Sequence, residues 1–229
     1  MTSRAFADDR LAGQYVDTLL GGKRYQDAAA GWKQYLGERA AGYRQSTYLY
    51  NGGFEEEPTG SVFDWRLSPA DGVKLEMDGS VLHSGRRSLR VELGGKENLR
   101  YGGVAQRTVV REGTYRLRAY AKTEGLSTDR GLALRVFDVE LPGRLDVRTE
   151  ELTGTNEWRL LERTFRAGRG TQLIEVQLSR EPSLKFDNKI RGTIWLDAVT
   201  LERVEGSNGG AAADEVVPRS TEAPPGGPN

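Results

Sequence analysis

The sequence predicts a mainly β protein, an antiparallel β-sandwich preceded by a short N-terminal α-helical hairpin. Apolar residues recur at helical spacing only near the N-terminus, over residues 5–38. Further along the chain, short segments alternate apolar and polar residues and are bounded by Gly, Asn, Asp or Ser. Because no long amphipathic helical segment interrupts these strands, we expect an antiparallel rather than a parallel arrangement.

The N-terminal residues predict two short antiparallel helices. Leu11, Tyr15 and Leu19 share one helical face, a second segment follows with Trp32 and Leu36, and Gly21-Gly22 lies between them. The pair, AGQYVDTLLGGKRYQDAAAGWKQYL, resembles a single tetratricopeptide unit. One such unit cannot bury its own apolar face, so it packs on the β domain or on upstream repeats. A hairpin that caps the sandwich and a truncated repeat array remain alternatives.

The stretch NGGFEEEPTGSVFDWRL, residues 51–67, marks the change from helical to strand-like sequence. The predicted strands that follow include residues 88–93, 114–122, 132–139, 158–167, 172–179 and 193–203. From residue 205 onward the composition becomes rich in Gly, Ala, Ser and Pro, which predicts disorder. We therefore divide the chain into a hairpin (1–47), a sandwich (48–204) and a disordered tail (205–229).

Composition excludes several classes of function. The formal net charge is zero, so no bulk attraction for nucleic acid is expected. The absence of cysteine excludes disulfides, thiolate metal sites and cysteine nucleophiles, and His83 is the only histidine. No segment has the length of a membrane span, and the N-terminus lacks the apolar core of a secretory signal.

Catalytic motifs are also missing. The sequence has no Gly-x-Ser-x-Gly elbow, phosphate loop or dinucleotide fingerprint. A glycosidase needs only two carboxylates, but residues 55–57, Asp138 and Glu140 are better interpreted as metal-binding or surface groups. We expect a protein that is not an enzyme.

Five motifs in order resemble carbohydrate-binding modules of families 4, 9 and 22. They are NGGFE with the following Trp65-Arg66, SGRRSLRV, GTYRLRAYAKTE, Trp158 with Phe165, and IWLDAVTLER. The resemblance covers about residues 51–204 and implies a β-jelly-roll that binds polysaccharide. The stretch SREPSLKFDNKIRGTIWLD is similar to domains that follow tetratricopeptide repeats in bacterial proteins linked to surface polysaccharide. This implies an envelope context, periplasmic or extracellular, with repeats or another protein as partner.

A structural calcium ion is implied by the same resemblance. In these modules an Asp of the last strand joins a Glu of the Gly-Phe-Glu motif and backbone carbonyls around Ca²⁺, which names Glu55 and Asp197 here. Counting by twos along the last strand places Asp197 on one face with Trp195, Val199 and Leu201, and the alternate residues 194, 196, 198 and 200 on the other. Both faces are apolar enough to be covered, so we expect Asp197 to be at least partly buried. The alternative is that Asp197 accepts hydrogen bonds from backbone amides or from Arg86.

Sugar recognition requires aromatic faces and planar polar groups. The candidates are Trp65, Arg66, Tyr101, Gln106, Tyr120 and Arg180. Tyr120 lies on the polar face of its strand, whereas Trp158 and Trp195 are interpreted as core or edge anchors and His83 as a surface residue. The polar loop of residues 181–192 could line a ligand groove, but we favour a structural turn in which Phe186 and Ile190 attach the loop to the core.

Two alternatives remain open at this stage. The many strand arginines could suit an acidic glycan, although interleaved acidic residues favour an ordinary solvated face. The protein could instead be an interaction scaffold that packs on tetratricopeptide helices and has no sugar site. Exposed aromatic residues along one groove would favour sugar binding, and their burial against helices would favour the scaffold.

Overall fold

Two antiparallel five-stranded sheets pack face to face in the computed structural model, which describes residues 8–43, 48–186 and 188–204. The strands are β1 (Arg66–Leu67), β2 (Val73–Asp78), β3 (Ser88–Gly94), β4 (Tyr101–Val109), β5 (Gly113–Leu126), β6 (Ala133–Asp138), β7 (Asp146–Arg148), β8 (Gly154–Ala167), β9 (Leu173–Arg180) and β10 (Arg191–Val204). The first sheet has the order β1-β4-β9-β6-β7 and the second β2-β3-β10-β5-β8. The predicted mainly β sandwich with an N-terminal helical pair is confirmed.

The two helices pack on the sandwich. Helix α1 (Asp9–Gly21) begins after Asp8, whose carboxylate accepts a hydrogen bond from Leu11 N at 3.0 Å, and α2 (Tyr25–Leu36) follows. A 3₁₀ segment, Gly37–Gly42, leads out of the hairpin. The buried face of the helices shares one apolar cluster with Tyr50, Phe63, Val109 and Leu173 of the sandwich. Of the two predicted packing partners, the structure thus shows the β domain, and the likeness to a tetratricopeptide unit stays a prediction.

The alternation along β5 is as the sequence predicts. Tyr115, Leu117, Ala119 and Ala121 are fully buried in the core, and the polar residues between them face outward. Each sheet therefore has an inner face in the common core and an outer face. These two outer faces carry polar and aromatic side chains.

The prediction that faces alternate without interruption along β10 is wrong. The register shifts between Asp197 and Thr200, and Ala198 has a positive φ of 50°. Ile194 and Leu196 lie in the core before this bulge, and Val199 and Leu201 lie in it afterwards. The bulge is fixed against Gly52, because Val199 N donates to Gly52 O at 2.8 Å and a Cβ on Gly52 would lie 1.9 Å from Val199 O.

The predicted disordered tail, residues 205–229, lies outside the described residues, and the proposed domain boundaries stay a prediction. Neither α1 nor α2, nor any other helix within residues 8–43, 48–186 and 188–204, is long and apolar enough to cross a membrane.

Candidate functional site

Trp65 and Tyr101, two of the predicted sugar platforms, lie in the interior. Trp65 is fully buried against Phe54, with ring centroids 5.1 Å apart, and its Nε1 donates to Asn51 O at 3.0 Å. Tyr101 is 5% exposed and belongs to the same core. A ring without a free face cannot stack on a sugar, so the structure gives these two residues the role of core anchors.

The side-chain amide of Gln106 is hydrogen-bonded to the backbone of Tyr50. Its Oε1 accepts from Tyr50 N at 2.8 Å and its Nε2 donates to Tyr50 O at 2.9 Å. Thr108 Oγ1 donates in the same way to Tyr48 O at 2.7 Å. Since both polar ends of the Gln106 amide are bonded and the residue is fully buried, it holds the 48–50 segment rather than a ligand.

Arg180 fastens loops in the interior and is only 1% exposed. Its guanidinium donates to the backbone oxygens of Arg130, Leu99 and Asn188 and to Asn98 Oδ1. Burial lowers the pKa of this guanidinium, because its acceptors are neutral. In the adjoining loop Ile190 is buried as predicted, but the expectation that Phe186 packs on the core is wrong, since Phe186 is fully exposed.

Arg66 lies on the outer face of the first sheet. The outward side chains of its neighbouring strands join it to form what we call the polar face, which comprises Arg66, Arg107, Arg135, Asp146, Arg148, Glu175 and Gln177. Glu175 is at the centre, with a side chain only 6% exposed; its Oε2 accepts from Arg66 Nη2 at 2.8 Å and from Arg107 Nε at 2.9 Å. The sequence analysis missed Glu175, although a single acidic residue inside LIEVQLSR was an available signal.

The remaining groups of the polar face are also held in place. Arg135 donates to both carboxylate oxygens of Asp146, at 2.8 and 2.6 Å, and lies 4.6 Å from the centroid of the Phe137 ring. Gln177 Nε2 donates to Gly102 O at 3.0 Å. Arg66 Nε is buried and has no hydrogen-bond partner in the structure. The face therefore presents fixed planar donors and acceptors, the groups that recognise vicinal hydroxyls.

Tyr120 lies on the opposite side of the molecule, on the outer face of the second sheet. The His83 ring stacks on it with centroids 3.6 Å apart, and Trp158 meets His83 edge-on at 5.6 Å. Leu160, 42% exposed, pairs with Tyr120 across β5 and β8. We call His83, Tyr120, Trp158 and Leu160 the aromatic platform. The structure therefore does not bring Arg66 and Tyr120 into one groove, and it places Trp158 half-buried on this outer face.

Glu55 and Asp197 both lie close to Gly53. A Cβ added to Gly53 would be 3.6 Å from Glu55 Cγ and 3.8 Å from Asp197 Oδ1. Glu55 accepts hydrogen bonds from the backbone and guanidinium of Arg86. Burial raises its pKa, but these bonds outweigh burial, so the net pKa is below its ordinary value. Asp197 is fully buried and, as one alternative expected, accepts from the amides of His83, Ser84 and Ala198.

The negative charge of Asp197 is only partly compensated by its neighbours. Burial raises the pKa of Asp197, and the three amides offset only part of that effect. The nearby guanidinium of Arg86 pairs with Glu55 instead. Within the described residues no cluster of three or more His, Cys, Asp or Glu side chains could hold a metal, so carbonyls and water would complete any calcium shell.

The fold and its outer faces define a β-sandwich binding domain. The family comparison gives the identity of this class: the chain belongs to the carbohydrate binding domain family CBM_4_9, whose profile matches residues 46–182, more than half of the chain. No curated protein matches the sequence.

Several solved structures are similar to this chain. The enzymatically active domain of tailspike protein 4 of Bacteriophage CBA120 is 15% identical, with a TM-score of 0.47, over 69% of this chain and 21% of that chain. This protein thus spans about a fifth of the tailspike chain. TmCBM61 in complex with β-1,4-galactotriose is 23% identical, with a TM-score of 0.46, over 69% of this chain and 99% of that chain. The CBM22-1 xylan-binding domain of Paenibacillus barcinonensis Xyn10C is 18% identical, with a TM-score of 0.44, over 68% and 94% of the two chains.

Proposed function

We propose that this protein is a non-catalytic polysaccharide-binding domain whose glycan site is the polar face. The observation that carries the proposal is the carboxylate of Glu175, held nearly out of solvent between Arg66 and Arg107. Such a clamp fixes both guanidinium groups before a ligand arrives, which reduces the entropy cost of binding. The Arg66 side chain is 35% exposed, so part of its guanidinium can be reached by a ligand on this face.

The charge of the polar face favours an anionic polymer, such as one that contains uronic acids. With Arg100 and Glu181 at its edge, the face carries five guanidinium groups against three carboxylates, an excess of two positive charges. Arginine binds sugar carboxylates through two parallel hydrogen bonds. A polyuronate is therefore the ligand class that this site matches best.

Replacing Arg66 by Ala is expected to weaken retention on polygalacturonate or alginate about tenfold, because a charge-assisted hydrogen bond is lost. Affinity electrophoresis of the purified chain measures this effect, and Arg163→Ala, at an exposed position on the second sheet, is the matched control. Raising NaCl from about 0.1 M to about 1 M shortens the Debye length from about 10 Å to about 3 Å and should weaken retention further. If retention is the same at low and high salt, and the same in Arg66→Ala as in the parent protein, the polar face is not the binding site.

Calcium binding at Glu55 and Asp197 is a second part of the proposal. A bound cation supplies the positive charge that the buried Asp197 lacks, and it would join the middle of β10, at the bulge, to the 83–87 loop. Adding EDTA to a calcium-replete sample is then expected to lower the melting temperature, and excess CaCl₂ should restore it. An Asp197→Asn variant should have the same melting temperature with and without calcium. An unchanged melting temperature in the parent protein would leave the amides as the only partners of Asp197.

The cellular setting that we propose is bacterial surface or envelope polysaccharide, outside the cytoplasm, as the resemblance implies. One observation favours a second function, that of a scaffold: the helices already cover Val109 and Leu173 on the outer face of the first sheet. Further tetratricopeptide repeats or another protein would extend that contact. If neither acidic nor neutral polymers retain the chain, a search for a protein partner follows.

A further inference from the structure

The outer face of the second sheet carries ring systems that the polar face does not use. His83 is exposed, Leu160 is 42% exposed, and Tyr120 and Trp158 are half-buried beside them. We propose that the aromatic platform is a second glycan-binding surface and that it takes a neutral pyranose. The domain then binds saccharide on both outer faces of the sandwich.

The platform is held in a fixed geometry. His83 N donates to Asp197 Oδ2 at 3.0 Å, which attaches the loop carrying the imidazole to the middle of β10, at the bulge. The His83 and Tyr120 rings are nearly parallel, with an interplanar angle of 13°. This stack covers one face of Tyr120 and orders the imidazole, so a ligand that stacks on the exposed His83 ring loses little of its binding energy to side-chain ordering.

The chemistry around the rings matches a sugar. The C–H face of a pyranose stacks on aromatic rings, while its equatorial hydroxyls point sideways and need donors and acceptors. Two ion pairs supply these beside the platform, Lys122 with Glu157 and Arg118 with Glu162. Each of these two pairs is balanced and adds no net charge beside the platform, which favours a neutral sugar there, unlike the arginine-rich polar face.

Other classes of ligand fit less well. A stable protein interface buries about 800 Å² on each partner around an apolar core, whereas the platform consists of three rings and one leucine. An anionic lipid surface binds protein surfaces that carry an excess of basic residues, whereas the ion pairs beside the platform are balanced. A short stretch of saccharide is the ligand of the right size and polarity.

The experiment follows the indole N–H signals of the ¹⁵N-labelled full chain in NMR during titration with oligosaccharides of β-1,4-linked glucose, xylose and mannose. The signal of Trp158, identified by its loss in Trp158→Phe, is expected to shift in a saturable manner with at least one of them. The signal of the buried Trp65 should not move. Trp158→Ala should weaken that binding about tenfold, since it removes one ring of the platform.

Matched variants show whether the oligosaccharide binds at the aromatic platform or at the polar face. Leu141→Ala, at another exposed apolar side chain, should leave the affinity unchanged, and so should Arg66→Ala on the polar face. His83→Ala should weaken binding as Trp158→Ala does, with a melting temperature close to that of the parent. The proposal is overturned if no oligosaccharide shifts the Trp158 signal. It is equally overturned if binding survives both platform variants or vanishes in Arg66→Ala.

Discussion

Trp65→Ala is expected to lower the free energy of unfolding by about 3–5 kcal/mol, the cost of truncating a large aromatic side chain inside a core. Trp65 has no exposed surface, and it packs on Phe54 near the turn where the chain enters the sandwich. The substitution also leaves Asn51 O without its indole donor. The loss therefore combines a cavity with a buried unsatisfied carbonyl.

Urea unfolding followed by circular dichroism measures the effect, with Trp158→Ala as the matched control. Trp158 is half-buried on an outer face, so its loss should cost clearly less stability than the loss of Trp65. A Trp65→Ala protein that unfolds at the parent's urea concentration, but has lost polymer binding, would restore the original prediction of Trp65 as a sugar platform.

Arg180→Met is expected to cost about 3 kcal/mol or more, although methionine retains much of the apolar volume. The guanidinium bonds oxygens from three separate loops, at Leu99, Arg130 and Asn188. Each oxygen left buried without a partner costs about 1–3 kcal/mol. Removing one side chain thus loosens three connections at the same end of the sandwich.

Thermal and urea unfolding of Arg180→Met test this expectation, with Arg169→Met at an exposed position as the control. Arg180→Lys should recover only part of the loss, because one ammonium group cannot reach all of the acceptors. If Arg180→Met is as stable as Arg169→Met, the buried guanidinium does not hold the loops together.

Six strands could be predicted from the sequence, and β5 shows the clearest reason, since core and partly exposed residues alternate along it from Tyr115 to Lys122. The alternation does not mark β4 (Tyr101–Val109). Its inward positions include Gln106 and Thr108, which bond the backbone of Tyr48 and Tyr50 instead of packing as apolar groups. The β10 bulge was missed for a related reason, since it depends on the contact of Gly52 with Val199 far along the chain.

The site was less predictable than the fold. Strand parity correctly predicted that Tyr120 faces outward, but the His83 ring reaches it only because Asp197 holds the 83–87 loop. Arg66 meets Glu175 through pairing of β1 with β4 and of β4 with β9, a register that local sequence does not specify. Residue type alone could not separate the exposed Arg66 from the buried Arg180.

The position of the hairpin gives the polar face an orientation. Arg107 and Glu175 each lie two residues from Val109 and Leu173, which the helices cover. A helix with its side chains is about 10 Å across, so the hairpin protrudes from the outer surface of the first sheet beside the guanidinium groups. The polar face is therefore closed on the side of the helices, which limits the directions in which any extended ligand can lie across it.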